Sequence, residues 1–182
     1  MSMTITEALA EIKVIDSRIT KKHEFVGQHL CRQDGLRDPL EKQGGSVTIT
    51  QREMQSIHDL YERKIMIRHM IQEANANTSL TISGTTRSIS DWLVWRRDVA
   101  PNIRQHLTDM SNAIQRSRTE ATKRGFNVVA GTQSGTGSPN DLLVNIDEQQ
   151  LAKEIESLEE LLGKLDGQLS LKNATTEVML DS

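Results

Sequence analysis

The sequence predicts a mainly α fold: a long antiparallel helical hairpin followed by further long helices, with two short β-hairpin inserts, forming an oligomeric bundle. Aromatic residues make up 3% of the 182 residues and prolines number three, so a thick sandwich or barrel core is not expected. Aliphatic residues instead recur at spacings of three and four along polar stretches, as in helices that each bury one stripe. We predict a single helical domain over 1–182, in this order: a helical hairpin (1–74), a β insert (75–90), a kinked helix (91–125), a β insert with a glycine-rich tip (126–146), a heptad helix (147–170) and a tail (171–182).

Two capping patterns define the predicted hairpin. Thr4 and Glu7 have the spacing of a capping box, in which a hydroxyl and a carboxylate satisfy free backbone N–H groups of the first turn. The stripe of the first helix comprises Ile5, Ala8, Leu9, Ile12, Ile15, Ile19, Val26 and Leu30. After a glycine-rich loop, the second helix is predicted to begin at Thr50, with Glu53 as its capping partner. Its stripe comprises Met54, Ile57, Leu60, Tyr61, Ile65, Met66 and Met70.

The first insert and the third helix follow. Threonines and β-branched residues flank Ser83-Gly84, which predicts a short β-hairpin. Ser88 has the position of the next helix cap, with Asp91 as its box partner. Pro101 lies inside the helical pattern and should kink the helix near Asp98, because proline cannot donate a backbone hydrogen bond.

The second insert precedes a heptad helix. Strands over 126–130 and 141–146 are predicted to flank a Gly/Ser-rich tip at 131–139. The tip lacks the Lys-Ser/Thr ending of a phosphate-binding loop, so a flexible turn is the favoured interpretation. The last helix is predicted to begin after a cap at Asp147, paired with Gln150. Its strict heptad comprises Leu151, Ile155, Leu158, Leu162, Leu165 and Leu169, and predicts packing against a helix of the same or another subunit.

Charge is distributed unevenly along the chain. Residues 87–124 contain eight basic and four acidic side chains, whereas residues 141–182 contain ten acidic and three basic ones. The two stretches are expected to pair with each other, within a subunit or between subunits, and a DNA partner is therefore not expected. No signal peptide or bilayer-spanning apolar run is visible, which predicts a cytoplasmic protein without a membrane partner. Cys31 is the single cysteine, and we expect a buried small hydrophobe there rather than a reactive thiol.

The sequence contains no recognisable catalytic or metal-binding motif. The five histidines are scattered without the spacing of a metal site, and no nucleotide fingerprint or nucleophile elbow occurs. We therefore expect no cofactor, no metal and no enzymatic activity.

One polar stretch has the composition of a site for an anionic ligand. Indole rings can stack on a base, guanidinium groups bind phosphate, and Asn and Thr orient polar groups. The candidate residues are Arg68, Asn75, Asn77, Thr78, Arg87, Trp92, Trp95, Arg96, Arg97 and Arg104. A structural interpretation competes with this one. The two tryptophans share a helical stripe and could be core, and Arg96 and Arg97 could pair with acids of the last helix.

Several strings, taken with the order of elements, resemble a family of small helical proteins from bacteria and phages, some of which are called septicolysin-like. They are the stretches 68–78, 84–98, 144–151 and 165–177. The resemblance implies a helical hairpin core, a short β insert and an oligomer, but no reaction. A lysin activity would require secretion and a membrane-inserting segment, and the sequence predicts neither.

Two classes of function follow. The first is a non-catalytic oligomeric binding protein, such as a phage-type sponge that sequesters an anionic, nucleotide-derived signalling molecule of host defence. The second is a structural or assembly protein whose helices build an oligomer without a small-molecule ligand.

Overall fold

The computed structural model describes residues 2–130 and 141–179, with the backbone alone at Ala130, and shows a mainly α fold, as predicted. In chain order the described elements are strand β1 (Ser2–Thr4), helix α1 (Ile5–His29), a 3-10 turn (Glu41–Gln43), helix α2 (Ser46–Asn77), strands β2 (Ser79–Ile82) and β3 (Thr85–Ser88), helix α3 (Ile89–Val94), a π-helical turn (Trp95–Val99), helix α4 (Ala100–Lys123), strands β4 (Val128–Ala130) and β5 (Leu142–Val144), helix α5 (Glu148–Thr175) and strand β6 (Glu177–Met179). The chain divides into two compact units. The first ends at Thr78 and is completed by the chain from Ser170 onward, and the second is Ser79–Leu169. The single domain over 1–182 stays a prediction.

The hairpin of α1 and α2 forms the first unit, and its first cap is confirmed. The Thr4 N–H donates to the Glu7 carboxylate at 2.7 Å, and the Glu7 N–H donates to the Thr4 hydroxyl at 3.2 Å. The backbone bond from Thr4 is the main reason that the pKa of Glu7 is lowered. Ion pairs between α1 and α2 are Glu11–Arg63, Asp16–Lys64 and Lys22–Glu53. Lys22, the last of these residues in α1, pairs with Glu53, the first of those in α2. The two helices therefore run antiparallel.

Helix α2 begins four residues earlier than predicted, at Ser46 rather than Thr50. The carboxylate of Asp38, in the preceding loop, accepts hydrogen bonds from the Ser46 N–H at 2.8 Å and from the Ser46 hydroxyl. The Asp38 carboxylate, distant in sequence, thus caps the helix, so a local capping box is not needed. Glu53 pairs with Lys22 instead. Cys31 is exposed, so the prediction of a buried cysteine is wrong.

The predicted apolar stripe of α2 is wrong in part, because its members lie on two faces. Those that pack against the core of the first unit are Ile57, Leu60 and Met70, and those that are exposed are Met54, Tyr61, Ile65 and Met66. At about 100° per residue, Ile65 lies roughly 160° around the helix from the fully buried Ile67. Only one of these two faces therefore meets the core.

The predicted first β-hairpin is confirmed in the second unit. Strands β2 and β3 pair antiparallel, with Leu80 opposite Arg87. The turn residues Ser83 and Gly84 both have positive φ, 49° and 82°, as the favoured two-residue hairpin turns require. Ser88 caps α3 by accepting from the Asp91 N–H at 3.0 Å, as predicted.

The break predicted at Pro101 takes the form of the π-helical turn. The Ala100 N–H donates to the Trp95 carbonyl, five residues back. The side-chain amide of Asn102 also donates to the Asp98 carbonyl, at 2.7 Å. The wider turn adds a residue to the helix and rotates everything after it relative to α3.

The second predicted β-hairpin is wrong in its pairing. Strands β4 and β5 run parallel, with Val128 opposite Leu142. A tight turn can join only antiparallel strands. Ten residues separate β4 from Asp141, and a chain of that length could span up to about 33 Å, three times the length of a three-residue strand. The connection is therefore long enough for two parallel strands. The predicted tip at 131–139 lies outside the described residues.

Helix α5 begins at the predicted cap, where the Gln149 and Gln150 N–H groups donate to Asp147 at 2.8 and 3.2 Å. It extends beyond 170, to Thr175, and β6 then pairs antiparallel with β1, so the predicted tail over 171–182 is corrected. Heptad leucines are buried within the second unit. Leu151 and Leu158 pack with Ala100 and Leu107, and Leu165 and Leu169 pack with Leu80, Ile82, Ile89 and Trp92. A heptad contact between subunits stays a prediction.

Candidate functional site

Trp92 is part of the core of the second unit. Its side chain is 2% exposed, and the indole Nε1–H donates to the Leu80 carbonyl of β2 at 2.9 Å. Trp95 meets it edge-on, with ring centroids 5.7 Å apart. The guanidinium of Arg87 lies 5.1 Å from the centre of the Trp92 ring, within the range of a cation–π contact. The indole that was predicted to stack on a base is therefore enclosed by protein groups, which favours the structural interpretation.

The three arginines predicted after the tryptophans are all bonded to carboxylates. Arg96 pairs with Asp166 of α5, with Nε and Oδ1 3.0 Å apart. Arg104 donates to Glu159 of α5 through Nε at 2.6 Å, and this bond raises the pKa of Arg104. These contacts agree with the expected pairing of the basic and acidic stretches.

Arg97 binds the side chain of its own neighbour. Its Nε and Nη2 groups donate to the two carboxylate oxygens of Asp98 at 2.7 and 2.8 Å. This fork is the main reason that the pKa of Asp98 is lowered. Arg97 is thus directed away from the α5 partner of Arg96.

An open groove of about 650 Å³ lies between α4 and α5 and includes two of the predicted residues. Its lining comprises Arg96, Ala100, Pro101, Arg104, Gln105, Thr108, Glu159, Leu162, Gly163 and Asp166. Guanidinium groups occupy the α4 side, and carboxylates occupy the α5 side. The four formal charges cancel, so the groove offers no net positive charge to an anion.

Sequence reasoning did not find most of this lining. Gln105, Thr108, Glu159 and Gly163 have no motif, and only the contrast in charge between the two stretches indicated that α4 and α5 meet. Finding them requires the relative rotation and offset of two helices, and the π-helical turn changes that rotation.

Four predicted residues belong to the first unit instead. Arg68 is exposed on α2, and Asn77 is exposed at its end. Thr78 caps the helix through its N–H, which donates to the Ala74 carbonyl at 3.0 Å. Asn75 is 8% exposed, and its Oδ1 atom has no hydrogen-bond partner in the described structure. Of these four residues, Thr78 thus makes the contact of a helix end.

Within 2–130 and 141–179, no three His, Cys, Asp or Glu side chains are grouped so that they could hold a metal ion. Within the same ranges, no helix combines the length and the apolar character needed to cross a membrane.

Comparison with known proteins gives the fold alone. No protein-family model and no curated protein matches the chain. One solved crystal structure is similar, that of a functionally unknown conserved protein from Corynebacterium diphtheriae. The two share 16% identity with a TM-score of 0.56, over 98% of this chain and 100% of that chain. The resemblance to septicolysin-like proteins stays a prediction.

Proposed function

We propose that this protein is a non-catalytic assembly protein, whose helices build a homo-oligomer without a small-molecule ligand. The observation that carries the proposal is the exposed face of α2, where Met54, Tyr61 and Ile65 are 56%, 43% and 61% exposed. Large apolar side chains that recur along one exposed helix face are typical of a surface that another protein covers. The septicolysin-like resemblance, which implies an oligomer, supports the same proposal.

The bonded arginines support it as well. A phosphate that displaces Asp166 from Arg96 must break an existing charge-assisted bond and leave the carboxylate without its partner. It would also approach Glu159, which has the same sign of charge. The groove therefore stabilises the packing of α4 on α5 more readily than it attracts a dianion.

Sedimentation velocity tests the proposal directly. The purified chain is expected to form a species heavier than its 20.4 kDa monomer, in a proportion that rises with concentration. A monomer mass at every concentration up to the millimolar range would exclude homo-oligomeric assembly.

A second candidate function is the binding of an anionic, nucleotide-like molecule, as a sponge would do. It is favoured by one observation: the guanidinium groups of Arg96 and Arg104 line the same open groove as Gln105 and Thr108. Denaturing the purified protein and analysing the released small molecules by mass spectrometry tests it. If a nucleotide is recovered, Arg96→Lys should weaken its binding about tenfold, because lysine lacks the planar fork of arginine. Arg37→Lys, on an exposed loop of the first unit, is the matched control. If no nucleotide is released, this candidate is wrong.

A further inference from the structure

We propose that the α2 stripe binds the α2 stripe of a second copy of this chain, with the two helices antiparallel. The α2 stripe comprises the exposed side chains Val47, Gln51, Met54, His58, Tyr61, Ile65, Arg68 and Gln72. Their spacing alternates between four and three residues, which is the repeat of a coiled-coil seam. This inference rests on the proposed assembly function and adds to it the partner, the surface and the orientation.

The α2 stripe is a second seam, distinct from the buried face that packs on α1, although the Tyr61 hydroxyl lies 3.4 Å from His23 Nε2 of α1. The face of α2 toward α1 is occupied by buried residues such as Ile57, Ile67 and Ile71. The charged groups that join α1 and α2, Arg63 and Lys64, are also outside the stripe. Only one of its eight members, Arg68, carries a full charge. A charge-poor, partly apolar helix face of this kind favours a partner with the same character.

The sequence of the stripe favours an antiparallel second copy. If the stripes overlap fully in that orientation, Met54 of one helix faces Ile65 of the other, and His58 faces Tyr61. Arg68 then faces the neutral Gln51. In a parallel pair, Arg68 would face Arg68, and the two helix dipoles would also be aligned unfavourably.

The size of the contact predicts a reversible dimer. The stripe extends over about 25 residues, or roughly 37 Å, and a helix is about 10 Å wide. The projected contact is thus about 400 Å² on each copy, or about 800 Å² in total, below the roughly 1,000 Å² of a stable specific interface. A weak, transient dimer is therefore expected.

Two single substitutions and one control test the surface. Met54→Lys and Ile65→Glu each place a charge in the seam opposite an apolar side chain, and each should weaken the dimer at least tenfold, or by about 1.4 kcal/mol. Met66→Glu introduces the same charge beside Ile65, but about 100° around the helix, and should leave dimerisation unchanged. Since all three positions are exposed, the melting temperature of each variant should stay close to that of the wild type when measured at concentrations at which the wild type is a monomer.

The double variant tests the orientation. Met54→Lys combined with Ile65→Glu should restore dimerisation to within a few-fold of wild type, because each lysine then faces a glutamate of the other copy. Positions 54 and 65 are about 16 Å apart along one helix, so they cannot compensate within a chain. Sedimentation equilibrium measures all four variants. A double variant as weak as the single ones would overturn the antiparallel pairing. A wild-type dimer unaffected by any substitution would overturn the surface but leave the assembly function standing, whereas a wild-type monomer would overturn both.

Discussion

Asp38 illustrates, at the scale of a single residue, how the position of a helix start is decided by a side chain distant in sequence. It accepts hydrogen bonds from the Ser46 hydroxyl, from the Ser46 N–H and from the Leu40 N–H. These bonds, with that of the Ser46 hydroxyl contributing most, lower the pKa of Asp38 to about 2. Sequence spacing indicated a capping box at Thr50 instead. The spacing of neighbouring residues cannot reveal a cap that is supplied by a residue eight positions away.

The lowered pKa predicts a dependence of stability on pH. An unfolded aspartate has a pKa of about 3.9, so the folded state binds its proton less tightly than the unfolded state does. The stabilisation by Asp38 should be fully present above about pH 4 and should be lost as the pH falls toward 2. Melting temperatures of wild type and Asp38→Asn, measured from pH 6 to pH 2, should therefore converge in acid.

Asp34→Asn is the control for that experiment, since Asp34 lies in the same loop and binds the Gly35 N–H rather than Ser46. Its melting temperature should follow the wild type at each pH. Parallel curves for wild type and Asp38→Asn would show that the Ser46 contact does not set the acid stability.

The two indoles show the limit of sequence reasoning at the same scale. Their shared stripe allowed both a stacking surface and a core, and the residues alone did not choose. The bond from Trp92 to the Leu80 carbonyl favours the core for Trp92, and it depends on how the β2–β3 hairpin folds back on α3. A contact of this kind joins two elements and leaves no periodic signal in either.

At the scale of the elements, local patterns predicted what is local. The Thr4 and Ser88 caps, the first hairpin and the heptad of α5 were all found from spacings of a few residues. The rotation of α4, the parallel pairing of β4 with β5 and the β1–β6 pair depend on contacts between distant segments. Charge predicted that α4 and α5 meet, but not that Arg96 meets Asp166.

Helix α5 provides a prediction about stability. Gly163 lies in the helix interior, is exposed, and has open space where a Cβ atom would be added. Gly163→Ala should therefore raise the free energy of unfolding by about 1 kcal/mol, the difference in helix propensity between the two residues. Urea denaturation measures this change in the free energy of unfolding, with the same dependence on urea concentration applied to wild type and variant.

Gly84→Ala is the contrasting control, because Gly84 also has open space around it but has a φ of 82°. Alanine is strained in that conformation, so this variant should be destabilised. If Gly163→Ala also lowered stability, the open space shown beside Gly163 would have to be occupied in solution, by another subunit or by a ligand in the α4–α5 groove.

At the scale of the whole molecule, the protein has two kinds of surface. Arg96 and Arg104, which a phosphate in the α4–α5 groove could use, are bonded to carboxylates of α5, whereas apolar side chains that a helix could cover are exposed on α2. In the first arrangement, charged groups are paired within the chain. In the second, apolar side chains stay exposed, where another chain could cover them. Both arrangements support the proposed self-assembly without a ligand.

Native mass spectrometry of the protein, purified without a chelating or denaturing step, tests that conclusion most directly. One spectrum reports both the number of chains and any small molecule that remains bound. We expect a species of twice the 20.4 kDa chain mass, with no additional mass, and a growing share of monomer on dilution. A monomer alone, or a particle that carries the mass of a nucleotide, would contradict it.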